Sequence, residues 1–196
     1  MLIFSAQNLV LLSVPKTGST AMEVALKPWA DIAFYKHRKH TPLRRYQRKI
    51  APFLQTAFDL EPETMAVIRA PLDHVRSWYR YRAPTLGVDF DGFVQAVLSP
   101  SPPDWARIGS QHNFLTGRDG TPGITHLFAY EAQPVLRAWL SDRMGKEITI
   151  KPQNVSKPAP THITPATLAQ FDSAYAAEIA LHAKALAAQG HLFTQD

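Results

Sequence analysis

Apolar residues fall along this chain in short continuous runs separated by stretches of helical period. Leu9 to Val14 is aliphatic at every position but Ser13, the pattern of a strand covered on both faces in a parallel sheet. The stretch Met1 to Pro15 reads as one first strand containing that run. Ser19 to Lys27 predicts a helix stopped near Pro28, Asp31 to Tyr35 a second short strand, and Met65 to Ile68 a third. A polar connection with Pro52 and Pro62 precedes the third strand. Pro71 at a first helical turn, with Asp73 just inside it, starts a helix carrying Val75, Trp78, Tyr79 and Arg82. Asp89 to Leu98 predicts a helix, Ser99 to Pro103 a loop, and Ile124 to Tyr130 a fourth strand ending at Glu131. Pro134 to Met144 predicts a helix closed by Gly145. Thr164 and Pro165 open a last helix, with Leu168, Phe171, Tyr175, Ile179, His182 and Leu186 at helical spacing and Gly190 beyond it.

Strands alternating with helices, each strand nearly all apolar, predict an α/β fold: a three-layer, P-loop-type domain with a central parallel sheet flanked by helices. With 196 residues and 45% apolar content, a single domain over 1–196 is expected. The absence of cysteine excludes a disulfide framework and a Cys-ligated metal. The N-terminal run lacks a basic flank, is interrupted by Gln7 and Asn8, and is too short to span a bilayer; it reads as a strand and not as a signal, giving a cytoplasmic expectation. The net charge of +5 points to an anionic ligand, and the bias is local. Lys36 to Lys49 holds seven Lys or Arg, two His and no acid, which makes the stretch either functional or disordered.

Chemistry concentrates where strands end. Val14-Pro-Lys-Thr-Gly-Ser-Thr20 joins the first strand to the first helix, and ligands of parallel sheets bind at the carboxyl ends of strands. Gly18 at the bend lets backbone N–H groups at the helix start converge on one anion; Lys16 adds a mobile charge, and Ser19 and Thr20 add hydroxyls. The order differs from the common nucleotide loop, in which Lys follows the last Gly. These residues alone leave open an ordinary βα turn with a capping hydroxyl. A second signal is Arg69-Ala-Pro71 followed by Ser77, with Arg76, Arg80 and Arg82 close by. Arg is suited to bidentate phosphate contact, and a strand ending in Arg instead of an acid suggests a second phosphate and not a metal.

The two motifs together resemble those of the sulfotransferases. "PKTGST" is similar to their 5′-phosphosulfate loop, and "RAPLDHVRSWY" to their 3′-phosphate motif, which starts Arg-x-Pro with a Ser eight residues after the Arg. The match is closest to the family-2 type, which includes bacterial enzymes and relatives of the Golgi carbohydrate sulfotransferases. "KHT" at Lys39 to Thr41, "SQHNFL" from Ser110, "FAYE" at Phe128 to Glu131 and "NVS" at Asn154 to Ser156 resemble its later landmarks, in order. Where that family usually carries a second Arg, five residues after the first, this chain has His74, with Arg76 two residues on.

The resemblance implies transfer of a sulfuryl group from 3′-phosphoadenosine 5′-phosphosulfate (PAPS) to a hydroxyl or amine of a small-molecule or glycan acceptor. It implies no metal, and neither nucleic acid nor membrane as partner. Lys16, Thr17, Gly18, Ser19, Thr20, Arg69 and Ser77 would bind PAPS, with Lys16 also acting on the leaving group. His40 would be the base, with His37 as its alternative; His74, His112, His126, His162, His182 and His191 read as structural or solvent-exposed. Two rivals predict other things. A P-loop kinase or NTPase needs Mg²⁺ and an acid near the phosphates, for which Glu131 and Asp73 are the candidates. A binder of RNA or heparin-like polyanions would use Lys36 to Lys49 and leave the organised loop unexplained.

Overall fold

The computed structural model describes residues 1–153 and 156–194. Two strands, not one, open the chain: β1 (Leu2–Phe4) and β2 (Leu9–Leu11) form an antiparallel hairpin, with Leu2 opposite Leu11 and Phe4 opposite Leu9. The turn is Ser5 to Asn8, closed by the Asn8 N–H on the Ser5 carbonyl (3.0 Å). Asn8 has φ of 47°, a left-handed conformation that Asn tolerates. Next come α1 (Ser19–Leu26), β3 (Ile32–Ala33), α2 (Leu43–Lys49) and α3 (Ala51–Phe58). The basic stretch is thus ordered, half of it as α2 and its start as a 3₁₀ turn over Lys36–Arg38. Pro52 sits in the first turn of α3, where its missing N–H costs nothing.

β4 (Glu63–Ile68) leads into α4 (Pro71–Arg82), followed by α5 (Phe90–Leu98), α6 (Gln111–Leu115), β5 (His126–Ala129) and α7 (Gln133–Met144). Gly145 ends α7 with φ of 63°, as its position predicts. The expected last helix is two: α8 (Pro165–Ala174), capped by Thr164 on the Thr167 amide, and α9 (Ala176–Ala187), joined at Tyr175. Gly190 then reverses the chain into β6 (His191–Phe193); its φ is 87°, and a Cβ there would lie 2.2 Å from that of Ala132.

The sheet is mixed α/β in order β3-β1-β2-β4-β5-β6. Its pairing is parallel only at the centre, between β2, β4 and β5; β1 pairs antiparallel with both β2 and β3, and β6 pairs antiparallel with β5. The expectation of a parallel sheet therefore fails at both edges: the short Ser5–Asn8 reversal can only join β1 to β2 as antiparallel neighbours, β3 then pairs antiparallel with β1, and β6 returns antiparallel beside β5. Alternate strand residues feed two apolar clusters on opposite faces. Ile3, Val10, Ala66, Ile68 and Leu127 pack with α2, α3, α6 and α9; Leu2, Leu11, Met65, Val67 and Phe128 pack with α1 and α7. A third cluster, with Val75, Phe93 and Phe171, joins α4, α5 and α8. Among the described residues no helix is long and apolar enough to cross a membrane.

Candidate functional site

The carboxyl ends of β2, β4 and β5 lie side by side, and the segments that leave them, residues 12–18, 69–70 and 130–131, meet at one cleft of about 710 Å³. Its walls include Lys16, Gly18, Ser19, Thr20, His40, Arg69, Ser77, Trp78, Arg80, Tyr81 and Tyr130. Of the residues the sequence assigns to PAPS and to catalysis, Lys16, Gly18, Ser19, Thr20, His40, Arg69 and Ser77 lie there, and Thr17 and the alternative base His37 do not. The Thr17 side chain is buried and its hydroxyl donates to the Val14 carbonyl (3.0 Å), so it ties the loop and does not face the cleft.

The loop needs two left-handed residues, Lys16 (φ 63°) and Gly18 (φ 77°). At Gly18 a Cβ would also come 3.3 Å from the Tyr130 ring, so both backbone and space call for glycine. The N-cap of α1 is Gly18, which has no side chain to cap it, so that among the described residues the first N–H groups beside Ser19 and Thr20 have no side-chain cap. The Lys16 ammonium lies 4.2 Å from the Tyr81 ring centre and 5.7 Å from that of Trp78. Burial, then the nearby Arg69 and Arg82 charges, lower its pKa below the ordinary lysine value. Lys39 Nζ donates to Thr20 Oγ1 (3.0 Å) and pairs with Glu23 (2.6 Å), which leaves the Thr20 O–H free to donate.

The His40 ring lies 2.7 Å, through Nδ1, from the Ser13 carbonyl. A carbonyl only accepts, so Nδ1 carries the proton and Nε2 keeps its lone pair. His40 stays partly open to solvent, and what desolvation it has lowers its pKa, against the opposing pull of that carbonyl. His37, its alternative as base, is exposed in a short helical turn and does not line the cleft.

Arg69 leaves the end of β4 with its guanidinium 4.5 Å from the Tyr130 ring centre and Nη1 donating to the Lys16 carbonyl (3.4 Å). Of the three arginines grouped with Ser77 in the sequence, only Arg80 lines the cleft. Arg76 pairs with Asp73 (2.8 Å), and Arg82 is held by the carbonyls of Trp105 and Arg107 with its guanidinium 4.7 Å from Trp78. Ser77 and Arg80 are three apart on α4 and share its face. That spacing is the signal that singles out Arg80. Among the described residues, Arg69 Nε, His74 Nδ1, Arg76 Nε, Trp78 Nε1 and Arg80 Nε are buried without a hydrogen-bond partner, and of these Arg69, Trp78 and Arg80 belong to residues that line the cleft.

His74, which stands where the resembled motif carries its second Arg, is buried under the loop, and its Nε2–H donates to the Pro15 carbonyl (3.1 Å). Desolvation drives its pKa down to about 4, against the pull of the Glu178 carboxylate, so the folded protein holds it neutral. The unfolded chain binds a proton there near pH 6.5 that the folded chain refuses. His74's contribution to stability is therefore complete above pH 6.5 and lost as pH falls toward about 4. His74→Gln is expected to flatten the acid limb of a denaturation-midpoint series between pH 7.5 and 4.5; a limb as steep as the wild type's would place the titration elsewhere.

The other landmarks also have places. Glu131 accepts the Ala70 N–H (2.9 Å) and contacts His182 Nε2 (2.9 Å). Burial pushes its pKa up, but these hydrogen bonds prevail and leave it low. Gln111 is fully buried behind Arg69. Asn154 and Val155 lie outside the described residues, while Pro152, Gln153 and Ser156 line the cleft. Most of the basic stretch lies elsewhere: Arg38, Arg44, Arg45, Arg48 and Lys49 line a separate groove of about 810 Å³. A third cavity, about 690 Å³, opens at the amino end of β4 by Glu63 and has no Lys or Arg in its wall. No protein-family model, curated protein or solved structure matches the chain.

Proposed function

We propose that this chain is a PAPS-dependent sulfotransferase that moves a sulfuryl group to a hydroxyl or amine of a small-molecule or glycan acceptor, on a three-layer, P-loop-type fold. The observation that supports the reading is that two groups of cationic and hydroxyl side chains and one histidine line a single cleft, as two anion sites and a base would require. Lys16 and the α1 start form one set; Arg69, Ser77 and Arg80 form the other. Its volume suits a nucleotide-sized ligand.

Each group has a task in that chemistry. The acceptor oxygen or nitrogen bonds to sulfur as the bond from sulfur to the bridging oxygen of the 5′-phosphate breaks. Negative charge grows on that oxygen, where Lys16 and the N–H groups of the α1 start are suited to receive it. The acceptor's proton goes to His40 Nε2, which its hydrogen bond through Nδ1 keeps available as a base. Arg69, Ser77 and Arg80 would hold the 3′-phosphate, with Arg80 supplying the cation that His74 does not. Trp78, Tyr81 and Tyr130 give the cleft aromatic walls against which a purine can rest.

The kinase reading draws less support. Asp73 is engaged by Arg76, Glu131 by Ala70 and His182, and neither lines the cleft. A polyanion-binding module would use the separate basic groove and give the cleft no role. Thermal melting separates these readings, since a ligand bound only to the folded state raises Tm. Adenosine 3′,5′-bisphosphate without metal is expected to raise Tm by several degrees, and ATP with Mg²⁺ by much less. The reverse order would favour the kinase.

A further inference from the structure

We infer that Gln111 is a positioning residue for the anion site, and that α9 steers Arg69 and Ala70 through two side-chain relays. The role given to Arg69 rests on the sulfotransferase reading; the relays themselves do not.

β4 ends at Ile68, whose carbonyl still accepts the Tyr130 N–H (2.7 Å). One residue further, the amide of Gln111 acts as Arg69's ladder partner. Its Oε1 accepts the Arg69 N–H (2.9 Å) and its Nε2 donates to the Arg69 carbonyl (2.9 Å). The second Nε2 hydrogen goes to Glu178 Oε1 (2.8 Å). All three bonds require one orientation of the amide, and no other side chain of that length offers both a donor and an acceptor. Glu178, buried on α9, is itself fixed by the Ser110 hydroxyl (2.7 Å) and the His112 N–H (3.2 Å).

The second relay starts one turn along α9. His182 contacts Glu131 Oε2, and Glu131 Oε1 takes the Ala70 N–H, both at 2.9 Å. The next residue, Pro71, has no N–H and a fixed φ. Both backbone groups of Arg69 and the amide of Ala70 are thus held by side chains from distant parts of the chain. That fixes the direction in which the Arg69 side chain leaves the backbone, over Tyr130 and toward the cleft. A strand end without these partners would leave Arg69 free to turn about ψ.

The test uses Gln111→Leu, which keeps the bulk and removes every hydrogen bond. It also uses Glu131→Ala, which removes an exposed carboxylate and leaves the apolar core intact. The first readout needs no ligand. The Tyr130 ring should shift the ¹⁵N–¹H signal of Arg69 Nε, assigned with Arg69→Lys, away from the ordinary arginine position, and both variants should move it back. The second is the ratio of affinities for adenosine 3′,5′-bisphosphate and adenosine 5′-phosphate, which should fall about tenfold in Gln111→Leu, the scale of one charge-assisted bond lost. A lower Tm with the signal and the ratio unchanged would overturn the inference and make Gln111 a core residue only. If the wild type itself ignores the 3′-phosphate, the sulfotransferase reading fails, while the Arg69 signal still decides whether the relays position it.

Discussion

Lys16→Ala is expected to cut kcat for sulfuryl transfer by about 10²–10³-fold, the scale of a lost oxyanion donor, while weakening adenosine 3′,5′-bisphosphate binding only a few-fold. The asymmetry follows from where the charge is needed. In the ground state the 5′-phosphate end also has the α1 N–H groups and the Thr20 hydroxyl, so one ammonium is a modest part of the whole. Only as the bridging oxygen takes up charge does the ammonium gain an interaction it lacked before, and such a gain appears in kcat. Lys16 has somewhere to wait, since its Nζ lies over the Tyr81 ring. The pH profile adds a second check. In the proposed reaction Lys16 would act protonated, and its pKa is lowered by burial and by Arg69 and Arg82, so the rate should fall on the alkaline side sooner than an ordinary lysine would dictate. As the proposed base His40 would act deprotonated, and its pKa is lowered, so the acid limb should lie below pH 6.5. Lys16→Arg should push the alkaline limb outward and His40→Ala should abolish the acid limb. Losses of affinity and rate in equal measure would reduce Lys16 to a ground-state anchor.

What the sequence revealed was mostly local. The loop from Val14 to Thr20 and the Arg69-Ala-Pro71 start are runs of adjacent residues whose type and order carry their chemistry, and the structure places them at neighbouring strand ends. What it concealed depends on partners far along the chain. The Ser5–Asn8 turn has no Gly or Pro to announce it and closes only because Asn8 accepts a positive φ. Pro52 looks like a helix breaker until its position at the start of α3 is known. β6 is three residues long and exists because β5 offers it an edge. The amide of Gln111 gains its role from Arg69, 42 residues away, and from Glu178, 67 away. Thr17 shows the opposite limit. A motif marks it beside Gly18 and Ser19, but only the fold shows that its hydroxyl turns inward to Val14.

Arg69→Ala is expected to weaken PAPS and adenosine 3′,5′-bisphosphate roughly ten- to a hundredfold, from the 1.5–3 kcal/mol typical of a hydrogen bond to a charged group. Ser77→Ala, which removes a neutral donor to the same phosphate, should cost less. Adenosine 5′-phosphosulfate lacks the 3′-phosphate, so its weaker binding should hardly respond to either change. The structure sharpens this expectation in two ways. Arg80 shares the Ser77 face of α4 and lines the cleft, so Arg80→Ala should show the same ligand selectivity. Arg76 and Arg82 are held by Asp73 and by two carbonyls, and their removal should spare that selectivity. A competing structural account is that Arg69 only braces the loop through the Lys16 carbonyl and stacks on Tyr130. The mutant would then melt lower and lose affinity for both nucleotides alike. Isothermal titration of the two ligands against these variants, with melting curves alongside, separates the accounts. A uniform loss would remove the 3′-phosphate from Arg69 and with it the main support for PAPS as the donor.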